Sequence, residues 1–371
     1  MRGRRSFLRH SLRLLAGGTA GTALGGLATA VHAAEIGPQP EVGPPGSANV
    51  ADAEPPFPVP AAPTLDELDL PVTPYTGEHP PQSIVQSSPV ITVYGRSFGV
   101  APILGLLGDL NSFDELEKSI APWVNATEEL AGAPVTVAPH LIYALARPCQ
   151  GADDSCLIFL DGSGVDLVND YILPAADRGM GVVLDAQMGR LSPSFFVRRM
   201  IDMGYMAHPN VHIALDPEFA TRPDQNMPGH PIGRLSANAI NEAQRILADY
   251  VRTEQLTHKK IMIIHQFVDE ISDSWSMVSR KRDIEVYPEV DLVFDADGFG
   301  SPDAKILKYN AITNPEAYPH LQWRGIKIFQ HNKYAPRFSD SPVLTPRQLF
   351  GLDPTRAGWR MWAPPHLIVL A

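Results

Sequence analysis

Three apolar runs in this 371-residue chain end in the same polar signature. VVLDAQ carries Asp185-x-Gln187, HIALDPE carries Asp216-x-Glu218, and LVFDADG carries Asp295-x-Asp297. Strand residues two apart point to one side of a sheet. Each run is therefore expected to aim two polar groups in one direction at its C-terminal end. Ends of this kind converge at the mouth of a parallel barrel, where active sites gather.

The rest of the pattern agrees. Eight β-rich runs are expected, at 90–94, 135–143, 181–187, 211–218, 260–267, 290–297, 325–330 and 366–370. The middle ones are near-continuous Val, Ile and Leu, which suits parallel strands buried on both faces. Helical segments lie between them. The segment 111–130 begins Asn111-Ser112-Phe113-Asp114-Glu115, a start signal with acidic residues in the first turn. Segment 165–178 leads into a Gly-containing turn, and 192–203 has Ser192 as N-cap with Pro193 at the first helical position. Segment 236–252 has Ser236 as N-cap and an apolar stripe of Ile240, Ala243, Ile246, Leu247 and Tyr250. The alternation predicts an α/β fold, a (β/α)8 barrel of the TIM type. A doubly wound open sheet is the alternative. A final strand at 366–370 favours the barrel, because strand eight must close onto strand one.

Two segments precede that domain. Residues 1–33 read as a twin-arginine signal peptide. Arg4-Arg5-Ser6-Phe7-Leu8 is followed by a Gly/Ala-rich stretch and by Val31-His32-Ala33, a small-residue cleavage site. The stretch is too rich in Gly and Ala for a stable membrane helix, so no stable membrane anchor is expected. This reading makes the twin-arginine export machinery a partner and the location periplasmic or extracellular. Residues 34–87 are crowded with Pro, which fixes φ and removes a donor, so a largely disordered linker is expected there. Residues 88–371 form the barrel domain. A formal charge of −11 argues against nucleic acid and anionic membranes. The two cysteines, Cys149 and Cys156, are expected to form a loop-closing disulfide in an exported protein.

The strongest chemical constellation is Asp216-Pro217-Glu218. Two close carboxylates cannot both ionise freely, so one pKa rises. A raised Glu218 serves as general acid while an ionised Asp216 stabilises positive charge, the division of labour in glycosidases. Asp297 or Asp185 would be the base or nucleophile. The competing reading is a pair that braces loops. Gln187, Arg190, His265, Gln266 and Asp295 are candidates for substrate binding. So are His230 and Arg234, on a Pro-rich loop at 220–235 that could fold over Glu218. His265 also opens a metal alternative, a divalent cation on His265, Asp216, Glu218 and Asp297. Otherwise no cofactor is expected.

Leu-Asp-Ala-Gln-x-Gly-Arg at 184–190, Ala-Leu-Asp-Pro-Glu-Phe at 214–219 and Ile-Gly-Arg-Leu-Ser-Ala-Asn-Ala-Ile-Asn at 232–241 resemble an uncharacterised family of exported bacterial (β/α)8-barrel proteins. His-Gln-Phe at 265–267 and Asp-Gly-Phe-Gly at 297–300 belong to the same pattern. The resemblance implies a barrel and little chemistry. Asp216-x-Glu218 is also distantly similar to the Asp-x-Glu strand of several glycoside hydrolases. The chain departs from the chitinase pattern, with Val211 and Ala214 where further Asp residues stand. The expected function is a secreted glycoside hydrolase acting on a cell-envelope or environmental polysaccharide, or on another small substrate. The alternatives are a metal-dependent hydrolase of phosphate or acyl bonds and a non-catalytic carbohydrate-binding barrel.

Overall fold

The computed structural model describes residues 81–371 apart from 101–104, 153, 272–274 and 331–337. The signal peptide and nearly all of the linker lie outside the described residues. Eight parallel strands form a closed ring: β1 Val90–Gly95, β2 Thr136–Ala146, β3 Val182–Ala186, β4 Val211–Leu215, β5 Lys260–Gln266, β6 Val290–Ala296, β7 Trp323–Ile328 and β8 Leu367–Leu370. Each pairs with the next, and β8 returns to β1 from Val90↔Leu367 to Val93↔Leu370. That last pairing closes the barrel and excludes the open sheet.

Closure splits every strand into two faces. Met262 and Ile264 of β5 point outward into the layer shared with the helices, while Ile261 and Ile263 point inward. The inner apolar cluster uses compact residues such as Ala138, Val183, Ala214 and Val293, because an eight-stranded bore has room only for side chains. Gly325 of β7 takes this economy furthest. A Cβ there would lie 3.2 Å from both Cα and Oδ1 of Asp295.

Hydroxyl side chains start the larger helices. Ser112, Ser192, Ser236 and Ser301 each accept an N–H from the first turn, at the heads of α1 Phe113–Ala131, α3 Pro193–Asp202, α4 Ala237–Thr253 and α5 Pro302–Ile312. Between α1 and α3, a π turn at Val168–Ile172 runs into the short α2 Leu173–Ala176. A short α6 Pro346–Leu349 begins with a capping box at Thr345. Neither α5 nor α6 is among the helical segments expected from the sequence. Among the described residues the β5–β6 connection holds no α-helix. Val278–Ser279 pairs there with Leu235–Ser236, ahead of a 3-10 turn at Lys281–Asp283.

Two boundaries differ from expectation. The folded domain starts before residue 88. Gln82 bridges to His258, Ser83 caps the turn Ile84–Ser87, and Val85 is buried in the inner cluster. The side chains of Ile84 and Val85 and the backbone bonds of Gln82 to Thr257 and Lys259 hold this stretch to the barrel floor. Strand β4 stops at Leu215 rather than at 218, because Pro217 cannot donate to the ladder and opens a 3-10 turn, Pro217–Phe219.

Candidate active site

The C-terminal half of the bore is polar. Inward positions carry Thr92 and Tyr94 on β1, His140 on β2, Asp185 on β3, His265 on β5, Asp295 on β6 and Lys327 on β7, all buried. Register sets them beside one another. Tyr94 is aligned with His140, and His265 with Asp295. Asp216 and Asp297 follow directly after β4 and β6.

These side chains form one chain across the barrel. Thr92 Oγ1 lies 3.2 Å from His140 Nδ1, and His140 Nε2 lies 3.1 Å from Asp185 Oδ2. The same Asp185 oxygen is 3.0 Å from His265 Nε2. His265 Nδ1 is 2.8 Å from Asp295 Oδ2 and 3.5 Å from Asp297 Oδ2. Lys327 Nζ then donates to Asp297 Oδ2 at 3.1 Å and lies 3.7 Å from the centre of the Tyr94 ring. Tyr94 also packs edge-on against both imidazoles.

Burial in a low dielectric disfavours charge, and partners decide which groups keep it. Burial holds His140 below the usual imidazole range, so it is neutral. Burial and Lys327 act the same way on His265, but the Asp185 charge and the bonds to Asp185 and Asp295 outweigh them and raise it well above that range. Burial opposes ionisation of Asp185, yet His265 and the two imidazole bonds hold its carboxyl below the ordinary range. Burial likewise opposes ionisation of Asp297. Lys327, His265 and the Gly298 N–H outweigh it, and the carboxyl sits at about 2.

The Asp216–Glu218 pair behaves differently. Asp216 caps the 3-10 turn and accepts the Glu218 N–H at 3.1 Å. Burial pushes it well above the usual range, with Glu218 and Asp185 adding and His265 opposing. Burial thus works against the ionised state that its expected role as a stabiliser requires. Glu218 is half-buried. Burial and the charge of Asp297 push it up to about 7. The loop at 220–235 does return over this turn. Gly233 N donates to Glu218 O at 2.7 Å, and a Cβ on Gly229 would lie 3.9 Å from Glu218 Oε1.

Other expected residues have different placements. Asp185 has Oδ2 committed to two imidazoles, which takes it out of the base or nucleophile role. Gln266 points out of the barrel because it alternates with His265. It donates to Asp269 and Ser276 and accepts from Lys281. Arg190 donates to the carbonyls of Gly151, Ala152, Asp154, Pro223 and Gln225. It ties the loop of the Cys149–Cys156 disulfide to the loop after β4 and has no part in the cluster. Gln187 Oε1 accepts from Ala146 N, with its carboxamide beside Tyr94. His230 and Arg234 are exposed on their loop, outside the cluster.

The expected metal set also changes. The compact His/Asp groups among the described residues are His140, Asp185, His265 and His265, Asp295, Asp297, so Asp216 and Glu218 do not join them. Sequence reasoning missed His140, Lys327 and Tyr94. Their signal was a polar residue at an inward position of a strand buried on both faces.

The cluster is closed to solvent at Asp185 (0% exposed), His265 (1%), Asp295 (0%) and Asp297 (5%). A cavity of about 580 Å³ lies elsewhere, at the floor beside Gln82, Ser83, Lys259 and Glu289. We place the site at the mouth because the titratable groups converge there, on the face where barrels carry chemistry. Buried His and Asp groups on a TIM barrel are compatible with a hydrolase. No helix among the described residues is long and apolar enough to cross a membrane. Comparison with protein-family models, with curated proteins and with solved structures gave no match to this chain.

Proposed function

We propose that this chain is an exported glycoside hydrolase acting on a cell-envelope or environmental polysaccharide. Glu218 is the general acid, and Asp297 is the ionised carboxylate that activates water or attacks the sugar. One observation carries the reading: the two carboxylates occupy opposite environments at one barrel mouth. Asp297 is ion-paired with Lys327, while the half-buried Glu218 has no cation bonded to it in the described network. Glycoside hydrolysis needs such a pair, one carboxyl kept protonated and one kept charged. Asp216 and the loop at 220–235 hold Glu218 in place. His265 and Lys327 hold Asp297 ionised.

Export rests on the twin-arginine pattern at 1–33 and is part of the same proposal. The test is release of reducing ends from a panel of envelope and environmental polysaccharides. Wild-type protein should release them. Glu218→Gln and Asp297→Asn should each lower turnover at least ~100-fold while the polysaccharide still binds. Undiminished turnover in Glu218→Gln, or no release from any member of the panel, would overturn the assignment.

A further inference from the structure

The geometry points to a divalent transition-metal site of the zinc type inside the barrel, with His140 Nε2, His265 Nε2 and Asp185 Oδ2 as its donors. This centre adjoins the carboxylate pair through His265, which lies 3.5 Å from Asp297 Oδ2, but neither Glu218 nor Asp297 is a ligand.

Three features carry the inference. The first is convergence. Two imidazoles on strands β2 and β5 aim the same ring nitrogen at one oxygen of a third residue on β3, at 3.1 and 3.0 Å. Bonds of about 2.0–2.2 Å from nitrogen and carboxylate oxygen to zinc place neighbouring donors of a tetrahedral site roughly 3.3–3.6 Å apart, so these two pairs need to spread by only a few tenths of an ångström. The second is the outer layer. Each ring has its other nitrogen engaged from behind, His140 Nδ1 with Thr92 Oγ1 at 3.2 Å and His265 Nδ1 with Asp295 Oδ2 at 2.8 Å. Metal-binding histidines are held this way, and the His265–Asp295 contact is the carboxylate–histidine–metal arrangement. The third is an imbalance at Asp185. Both imidazoles crowd Oδ2, while Oδ1, equally buried, has no hydrogen-bond partner. A cation bound between the three donors neutralises the buried carboxylate that carries this unpartnered oxygen.

Two imidazoles and one carboxylate form a borderline donor set suited to zinc and its first-row neighbours. Three protein ligands leave a coordination position open, as in catalytic zinc centres. The second compact group, His265 with Asp295 and Asp297, suits a cation less well. Lys327 Nζ already holds Asp297 Oδ2 there. Because the donors are sealed from solvent, the ion is expected to load as the chain folds.

The experiment uses the full chain, unfolded with a chelator and refolded with Co2+ or Zn2+ alone. Wild type should retain about one equivalent after desalting, with the visible absorption of imidazole-bound Co2+. His140→Gln and Asp185→Asn should lose the ion, and Thr92→Val should weaken binding about tenfold. His230→Ala, at an exposed histidine, should bind as wild type does, and circular dichroism confirms that each variant folds. Glu218→Gln should keep the ion, which separates this proposal from the glycosidase reading. Wild-type protein that folds without retaining either ion would overturn the site. So would folded His140→Gln and Asp185→Asn variants that bind as tightly as wild type.

Discussion

Replacing Lys327 with Met would leave the Asp297 carboxylate in the bore without its cation. The size of the effect follows from both partners. Asp297 sits at about 2 against an ordinary ~3.9. Lys327 is pushed up to about 12 against an ordinary ~10.4. At ~1.4 kcal/mol per tenfold, each displacement corresponds to about 2–3 kcal/mol, and the two agree. The side chains are 4% and 7% exposed, so solvent screens the pair little. Removing one member of a buried pair costs about 3–5 kcal/mol, because the survivor stays desolvated. We expect Lys327→Met to lose about 3 kcal/mol at pH 7 in urea denaturation. The pH dependence has a definite sign. A depressed carboxyl adds stability above its unfolded pKa, near ~3.9, and that stability disappears as pH falls through the folded value. Wild type should therefore weaken between about pH 4 and pH 2 through this group, and Lys327→Met should show a smaller loss there, since His265 and the Gly298 N–H still act on Asp297. A double-mutant cycle with Asp297→Asn should give a coupling of about 2 kcal/mol. A loss within ~0.5 kcal/mol of wild type, or a cycle that is simply additive, would refute the reasoning.

Other outcomes follow from the same structure. Glu218 must be protonated to act as an acid and sits at about 7. Polysaccharide kcat/KM should fall about tenfold per pH unit above that point. This alkaline limb should vanish from the residual rate of Glu218→Gln, and its persistence there would assign it to another group. Gly325→Ala places a methyl against Asp295 and should cost about 1–3 kcal/mol in thermal unfolding. A neutral result would show that β7 yields easily. Arg190→Lys cannot keep five carbonyl contacts on two loops, since an ammonium lacks the guanidinium fork. It should speed hydrogen exchange at Thr221, whose N–H donates to Gly189 O. Unchanged exchange would make the brace dispensable.

The barrel was legible because its signals are local. Near-continuous Val, Ile and Leu runs marked the middle strands, and Ser192 and Ser236 marked the starts of α3 and α4. Helix α5 escaped because Lys305 is buried on it and donates to the Gly298 carbonyl, which breaks the apolar stripe. Part of the site was legible too. Asp185, His265, Asp295 and Asp297 do meet. The strand-alternation argument holds for Asp295 and Asp297, which both approach His265 Nδ1. It fails for Asp216 and Glu218, where Pro217 ends the strand and the shared direction comes from a cap. His140 and Lys327 were missed because they lie within strands. In HLIYALA and GIKI they read as interruptions of apolar runs, and only strand order shows that His140 faces Asp185 and Lys327 faces Asp297.

The turn at Ile84–Ser87 has a consequence for how the molecule can be presented. The described chain enters at the floor, where Gln82 pairs beside the start of β5, and the polar cluster lies toward the other end of the strands. Anything fastened to the chain just ahead of Pro81 pulls on the floor. A bead, a tag or an envelope component attached there would leave the mouth turned outward, free to meet a polymer too large to diffuse.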